Sequence, residues 1–228
     1  MNCQFMIKKP IIFSDFDGTI TERDVIIMIM EKFALPEWVE IKDKILYKRS
    51  ITLKDGVEKP FSLIDSSKKK EIIEFVRKEA KVRAGFDEFL DFCKKENIEF
   101  NVVSGGLDFF VESVLEKHKD KLKIFCNSGS FKSEKIKIDY KYLPKDCTSC
   151  GDCGCCKIEI IENYPKDEFI RILIGDSLTD LAASKVADIV FARGDLIKYL
   201  EQENIPHIPF ESFHEVKEKL VQKHLQKI

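Results

Sequence analysis

The sequence predicts an α/β fold: a parallel sheet with helices on both faces and a small all-helical domain inserted behind the first strand. Three observations predict it. From Gly85 to the C-terminus, short apolar runs alternate with amphipathic stretches, the pattern of strands joined by crossover helices. Residues 21–84 carry helical spacing throughout. Three apolar runs end in polar, glycine-bearing tips, "FSDFDGT", "VVSGG" and "LIGDSLTD", and such sheets gather reactive groups at the carboxyl ends of their strands. The expected division is core over 1–20, helical cap over 21–84 and core again over 85–228.

Each element has its own signal. "PIIFSDF" (10–16) is an apolar run opened by proline and reads as a buried strand. "TERDVIIMIMEKF" follows as a helix with Thr21 as cap candidate. "PEWVEIKDKILYK" starts with proline in a first-turn position. "ITLKDGVEKPFSLI" predicts a short helix broken at Gly56 and Pro60, and "SSKKKEIIEFVRKEAKV" a helix with serine caps. Beyond Gly85, "FDEFLDFCKKEN" is an amphipathic helix, "IEFNVVSGG" a strand and "LDFFVESVLEKH" a helix. "KIFCNSGSFKSEKIKIDY" predicts strands with a hairpin around Lys132–Glu134. A helix after the cysteine-rich loop, the strand "FIRILIGDS", the helix "SLTDLAASKV", the strand "DIVFAR", a helix from Asp195, an edge strand at "HIPF" and a C-terminal helix complete the order.

Composition narrows the function. The 228 residues are 44% hydrophobic with a net charge of −2, enough to bury a core and too balanced for a nucleic-acid surface. Lysine runs such as Lys68–Lys70 read as solvated helix faces. The apolar run Val25–Met30 is too short to cross a membrane, and the N-terminal "MNCQFMIKKPIIF" lacks the pattern of a signal peptide. The expectation is a cytoplasmic protein, monomer or homodimer, with no nucleic-acid or membrane partner. Isolated Cys93 and Cys126 read as buried small hydrophobes.

The tips carry the chemistry. In "DFDGT", Asp15 and Asp17 can project to one side of a strand end, and Gly18 permits the sharp exit. Two adjacent carboxylates repel, so either one holds a proton or a cation lies between them. In "GDSLTD", Asp176 offers a third oxygen ligand, or only a helix cap, and Asp180 follows one turn later. A small hard cation, Mg2+, suits such a set. In "VVSGG", Ser104 offers a hydroxyl, and the N–H groups of Gly105 and Gly106 can approach an anion at a helix start. A fixed positive charge is still needed, and Lys157 could supply it from the end of "CTSCGDCGCCK". That run offers Cys147, Cys150, Cys153, Cys155 and Cys156, which allows tetrahedral Zn2+, a disulfide, or reduced thiols in a tight loop.

The ordered set "DFDGT", "VVSGG", Lys157 and "GDSLTD", with a helical insert after the first motif, resembles the haloacid dehalogenase superfamily of phosphatases. The resemblance implies a Rossmann-like core and hydrolysis of a small phosphorylated metabolite. It implies Asp15 as nucleophile, Asp17 as general acid and then base, and Ser104 and Gly105 as phosphate ligands. Lys157 would bridge Asp15 and the phosphate; Asp15, the Asp17 carbonyl and Asp176 would hold Mg2+, with Asp180 supporting them. More narrowly, "PEWVEIKDKIL", "ITLKDGVEKPFSLI", "VVSGGLDFFV" and "CGCCK" resemble the methionine-salvage branch of that superfamily. This implies an enol phosphate with a methylthio tail. Met28, Met30, Phe33, Trp38 and Phe61 could give the tail apolar contact, and Asp24 could face a polar end; each also suits an ordinary core or surface position.

Overall fold

In the computed structural model, residues 8–34, 38–41, 52–143 and 154–225 are described. Seven strands form one sheet: β1 (Lys9–Ser14), β2 (Glu99–Leu107), β3 (Lys123–Ser130), β4 (Lys137–Asp139), β5 (Phe169–Gly175), β6 (Ile189–Ala192) and β7 (Ile208–Pro209). Their spatial order is β4-β3-β2-β1-β5-β6-β7. Every pairing is parallel except that of β3 with β4, the expected hairpin.

Strand alternation explains why both faces are covered. Ile11 and Phe13 of β1, Leu173 of β5 and Val190 of β6 belong to one apolar cluster. Their neighbours Ile12, Ile172, Ile174 and Phe191 belong to the other. Side chains two apart share a face, so each central strand must be apolar on both sides. The smaller cluster is closed by α6 (Lys157–Glu162), α7 (Leu178–Ser184) and α8 (Gly194–Gln202) through Ile160, Ile161, Ala183, Leu196 and Leu200. The larger takes α4 (Phe86–Lys95), α5 (Asp108–Val114) and α9 (Phe213–Leu225). Phe213 packs edge-on to Phe86 with ring centroids 5.0 Å apart.

Among the described residues, the segment after β1 is built of helices and short turns. It contains α1 (Val25–Phe33), a helical stretch at 38–41, α2 (Leu53–Phe61) and α3 (Lys69–Glu79), the last preceded by a 3-10 turn at Ser66–Lys68. Most of the helix expected from Pro36 lies outside the described residues. Two local expectations need correction. The cap of α1 is Asp24, whose carboxylate accepts from the Ile27 N–H at 2.9 Å. Thr21 instead receives the Gly18 N–H on its hydroxyl, 3.2 Å away. Gly56 does not break α2, which Thr52 caps, and Pro60 sits within its last turn. There the missing N–H removes only one helical bond, and the Ser62 N–H still donates to the Glu58 carbonyl at 3.0 Å.

The insert leaves and returns through a two-stranded neck. Thr21 and Val82 form an antiparallel bridge, and the Arg83 N–H donates to the Ile20 carbonyl at 2.8 Å. A second bridge, Asp65 with Lys135, ties the insert to the turn between β3 and β4. No described helix is long and apolar enough to cross a membrane.

Candidate active site

Register brings the tips together. Ser14 lies opposite Val102 of β2 and Ile174 of β5. Asp15 comes next, its N–H donating to the Ile174 carbonyl at 2.9 Å. It therefore stands level with the end of β5, where Asp176 follows Gly175, and beside the approach to Ser104. The chain then turns sharply at Gly18, whose φ is +81°. A Cβ there would collide with the Asp176 carboxylate, so glycine serves both the backbone angle and the close approach. Gly175 is needed for the second reason alone, since a Cβ would run into Asp180.

Lys157 opens α6 with its side chain 5% exposed, and its Nζ lies 2.6 Å from Asp15 Oδ1 and 2.6 Å from Asp180 Oδ1. The Cys156 N–H donates to the Tyr142 carbonyl at 2.8 Å, which fixes the approach of the chain. Burial works against the ammonium, but the two carboxylates outweigh it and hold Lys157 charged, its pKa raised. Asp180 is fully buried. Its other oxygen accepts the N–H groups of Asp176 and Ser177 at 3.1 and 3.2 Å. With the Ser177 hydroxyl this completes a capping box on α7. Ser177 is thus the helix cap, and Asp176 Oδ1 is left to accept the Thr19 hydroxyl at 3.1 Å.

Asp15, Asp176 and Asp180 each offer an oxygen within 4.8 Å of the others. Burial pushes Asp15 up to about 7, with Lys157 opposing and Asp180 adding. Burial and then the charges of Asp15 and Asp180 push Asp176 up to about 8. Three carboxylates facing one ammonium leave negative charge that a divalent cation would neutralise, and the all-oxygen set fits Mg2+.

Asp17 points toward the insert. Its Oδ1 accepts the Val25 N–H at 2.8 Å, and the Ser104 hydroxyl lies 3.4 Å from Oδ2. Burial first, then the charges of Asp24 and Asp15, raise its pKa well above the usual carboxylate range. Burial also raises that of Asp24, against the N–H groups of Ile27 and Ile26. Ser104 is buried, and its Oγ accepts the Gly106 N–H at 2.9 Å. That N–H therefore already has a partner within the turn.

The insert residues behave differently. Phe61 is fully buried, stacked on Phe110 with centroids 6.3 Å apart. Trp38 is buried in the same cluster, and its indole N–H has no partner among the described residues. Met28 is buried outside either large cluster, one turn beyond Asp24 on the same helix face. Cys155 and Cys156 are buried, whereas Cys147, Cys150 and Cys153 lie outside the described residues. Among the described residues no cluster of metal-ligating side chains includes a cysteine, so nothing there supports zinc. Cys93 and Cys126 are buried thiols pushed up to about 12, chiefly by burial, as inert core residues should be.

Two arginines belong to the site although no motif marks them. Arg83 Nε donates to the Thr19 carbonyl at 2.7 Å, and its Nη2 reaches the carbonyls of Gly18 and Thr21 at 2.7 and 2.9 Å. Arg193 Nη1 donates to the Gly18 carbonyl at 2.7 Å. Both hold the loop behind Asp17 by its backbone. Their targets are carbonyls, which every residue has, so sequence spacing gives no signal.

Comparison with known proteins agrees with this geometry. The model of the haloacid dehalogenase-like hydrolase family matches residues 12–185. Over 213 residues the chain is 44% identical to 2-hydroxy-3-keto-5-methylthiopentenyl-1-phosphate phosphatase of Bacillus velezensis, covering 93% of this chain and 90% of the relative. It is 45% identical over 211 residues to the Geobacillus kaustophilus protein of the same name, covering 92% and 95%. Among solved structures, a phospho-aspartyl intermediate analogue of phosphoserine phosphatase superposes with a TM-score of 0.67 at 21% identity. The match covers 93% of this chain and 99% of that one, a likeness of fold.

Proposed function

The chain belongs to the haloacid dehalogenase-like hydrolases, and from that premise we propose that it hydrolyses 2-hydroxy-3-keto-5-methylthiopentenyl-1-phosphate. The products are 1,2-dihydroxy-3-keto-5-methylthiopentene and phosphate, a step of methionine salvage. The substrate follows the names of the relatives, which are 44–45% identical over nearly the whole chain. The observation that carries the chemistry is the buried Lys157 ammonium shared by Asp15 and Asp180.

Lys157 engages one oxygen of Asp15, and the other attacks phosphorus in line with the ester oxygen. The P–O ester bond breaks as the aspartyl phosphate forms. Asp17, whose pKa is raised by burial and by its acidic neighbours, gives its proton to the leaving oxygen. It then takes one from the water that attacks the phosphoaspartate, releasing phosphate and restoring Asp15. Ser104 and the Gly105 backbone bind phosphoryl oxygens. Mg2+, held by Asp15, Asp176 and the Asp17 carbonyl, would neutralise the charge of the carboxylates and the phosphoryl group. Asp180 takes no step: it holds Lys157 and the backbone of Asp176 in place. The helical segment 21–84 acts as the cap, with Met28 and Asp24 as its nearest candidates for substrate contact.

The test is Mg2+-dependent phosphate release across a panel of phosphorylated metabolites, with Asp15→Asn as control. The enol phosphate should be preferred and the control inactive. A preference for phosphoserine, or turnover by Asp15→Asn, would overturn the assignment.

A further inference from the structure

Asn127 lies on β3, outside every motif considered so far, and is fully buried. Its Nδ2 donates to the Gly105 carbonyl at 3.2 Å and to the Gly154 carbonyl at 3.0 Å. Its Oδ1 accepts the Lys141 N–H at 3.4 Å. An asparagine amide offers two donors and an acceptor in one plane, and here all of them bind main chain from three separate segments.

Each of those segments leads to the site. Gly105 and Gly106 share a peptide group pinned at both ends: Asn127 holds the carbonyl, and Ser104 Oγ holds the N–H. The same Ser104 hydroxyl faces Asp17. Gly154 stands three residues before Lys157. Lys141 adjoins Tyr142, whose carbonyl anchors Cys156. One side chain therefore joins the turn that would receive phosphate to the loop that delivers the ammonium.

We propose that Asn127 is a positioning residue that sets the distance between Lys157 and the Ser104–Gly105 turn, so that both meet one phosphoryl group. The proposal rests on the roles given above to Lys157 and Ser104. It makes the alignment of the cation and the turn a property of a third strand, fixed before substrate arrives. Small misplacements of such groups cost on the order of a hundredfold in rate.

The experiment compares Asn127→Asp and Asn127→Leu with the native protein, with folding checked by thermal melting. Both variants should lower kcat about 10- to 100-fold while KM changes less than about threefold, the sign of contacts that matter in the transition state. Asn127→Asp should also gain a pH dependence. Its buried carboxyl group, while protonated, can still donate to one of the two carbonyls, and this is lost when it ionises. Its activity relative to native should fall as pH rises, whereas the Asn127→Leu ratio stays flat. Should leucine prevent folding, Asn127→Ser replaces it, offering one donor where two are needed. Folded variants with kcat within twofold of native, an effect confined to KM, or a flat ratio for Asn127→Asp would each overturn the proposal. Lys157→Ala is measured alongside. If it keeps native turnover, the reading of the site itself has failed; if it is inactive while the Asn127 variants are unimpaired, only the role of Asn127 has failed.

Discussion

Lys157 at the sheet edge and Trp38 in the helical insert are both buried, 5% and 6% exposed, and their surroundings differ in kind. Lys157 has two carboxylates at 2.6 Å. Around it, polar groups of Asp15, Asp17, Ser104, Asp176 and Asp180 all have identified partners. Trp38 lies among apolar side chains with its N–H unmatched among the described residues. The difference teaches that at the sheet edge burial comes with charged and hydroxyl groups that satisfy one another. In the insert Trp38 and Phe61 are held by packing, while Arg83 reaches back to the carbonyls of Gly18, Thr19 and Thr21.

Substitutions on the two sides should therefore fail in different ways. The largest effect is expected from Lys157→Ala. Phosphate release should fall by about a thousandfold, and the unpaired buried carboxylates should also lower stability by about 3–5 kcal/mol, seen in urea unfolding. Phe61→Ala, its counterpart in the insert, should cost about 3–5 kcal/mol in the same unfolding experiment. Its kcat, measured well below the melting temperature, should stay within severalfold of native. If Phe61→Ala abolished turnover in folded protein, the contrast between the two regions would break.

A smaller effect concerns the metal. With chelator present, Asp15 and Asp176 bind protons in the folded state up to about pH 7 and 8. In the unfolded chain they lose them near the usual carboxylate value of about 4. The folded state thus holds more protons between these limits, and stability must fall as pH rises through that window. Melting temperatures from pH 5 to 8 should show this decline without metal, and a flatter profile with saturating Mg2+. Identical profiles would mean that no cation neutralises the cluster. The smallest effect is expected from Asp24→Ala. Loss of its cap on α1 should cost about 1 kcal/mol. Removal of its charge should also lower the Asp17 pKa, since burial and then Asp24 raise it. In its proposed role as general acid Asp17 must be protonated, so the alkaline limb of the rate profile should move to lower pH.

Much of this arrangement was legible in the sequence because alternation and register are local rules. Once "PIIFS", "NVVS" and "RILIG" are parallel neighbours, Asp15, Ser104 and Asp176 must meet at one edge. Lys157 is legible only as a cation that could serve from between two motifs, its bridging role being what the family resemblance implies. Arg83, Arg193 and Asn127 were not legible. They act on backbone carbonyls distant in sequence, and nothing about an isolated arginine or asparagine says which carbonyl it will reach. The cap of α1 is ambiguous in the sequence for a related reason: Thr21 and Asp24 are both good caps, and in the fold the Thr21 hydroxyl accepts the Gly18 N–H of the preceding loop.

The bridge between Thr21 and Val82 has a further consequence. Because the roughly sixty residues between them begin and end side by side, removing them would leave a gap that a tight turn could close, with no strand rethreaded. A transplanted segment of another length would meet the same two anchor points. On the proposed reading, in which that segment caps the site, selectivity should then exchange as a cassette, while the apparatus for breaking the phosphate ester stays behind.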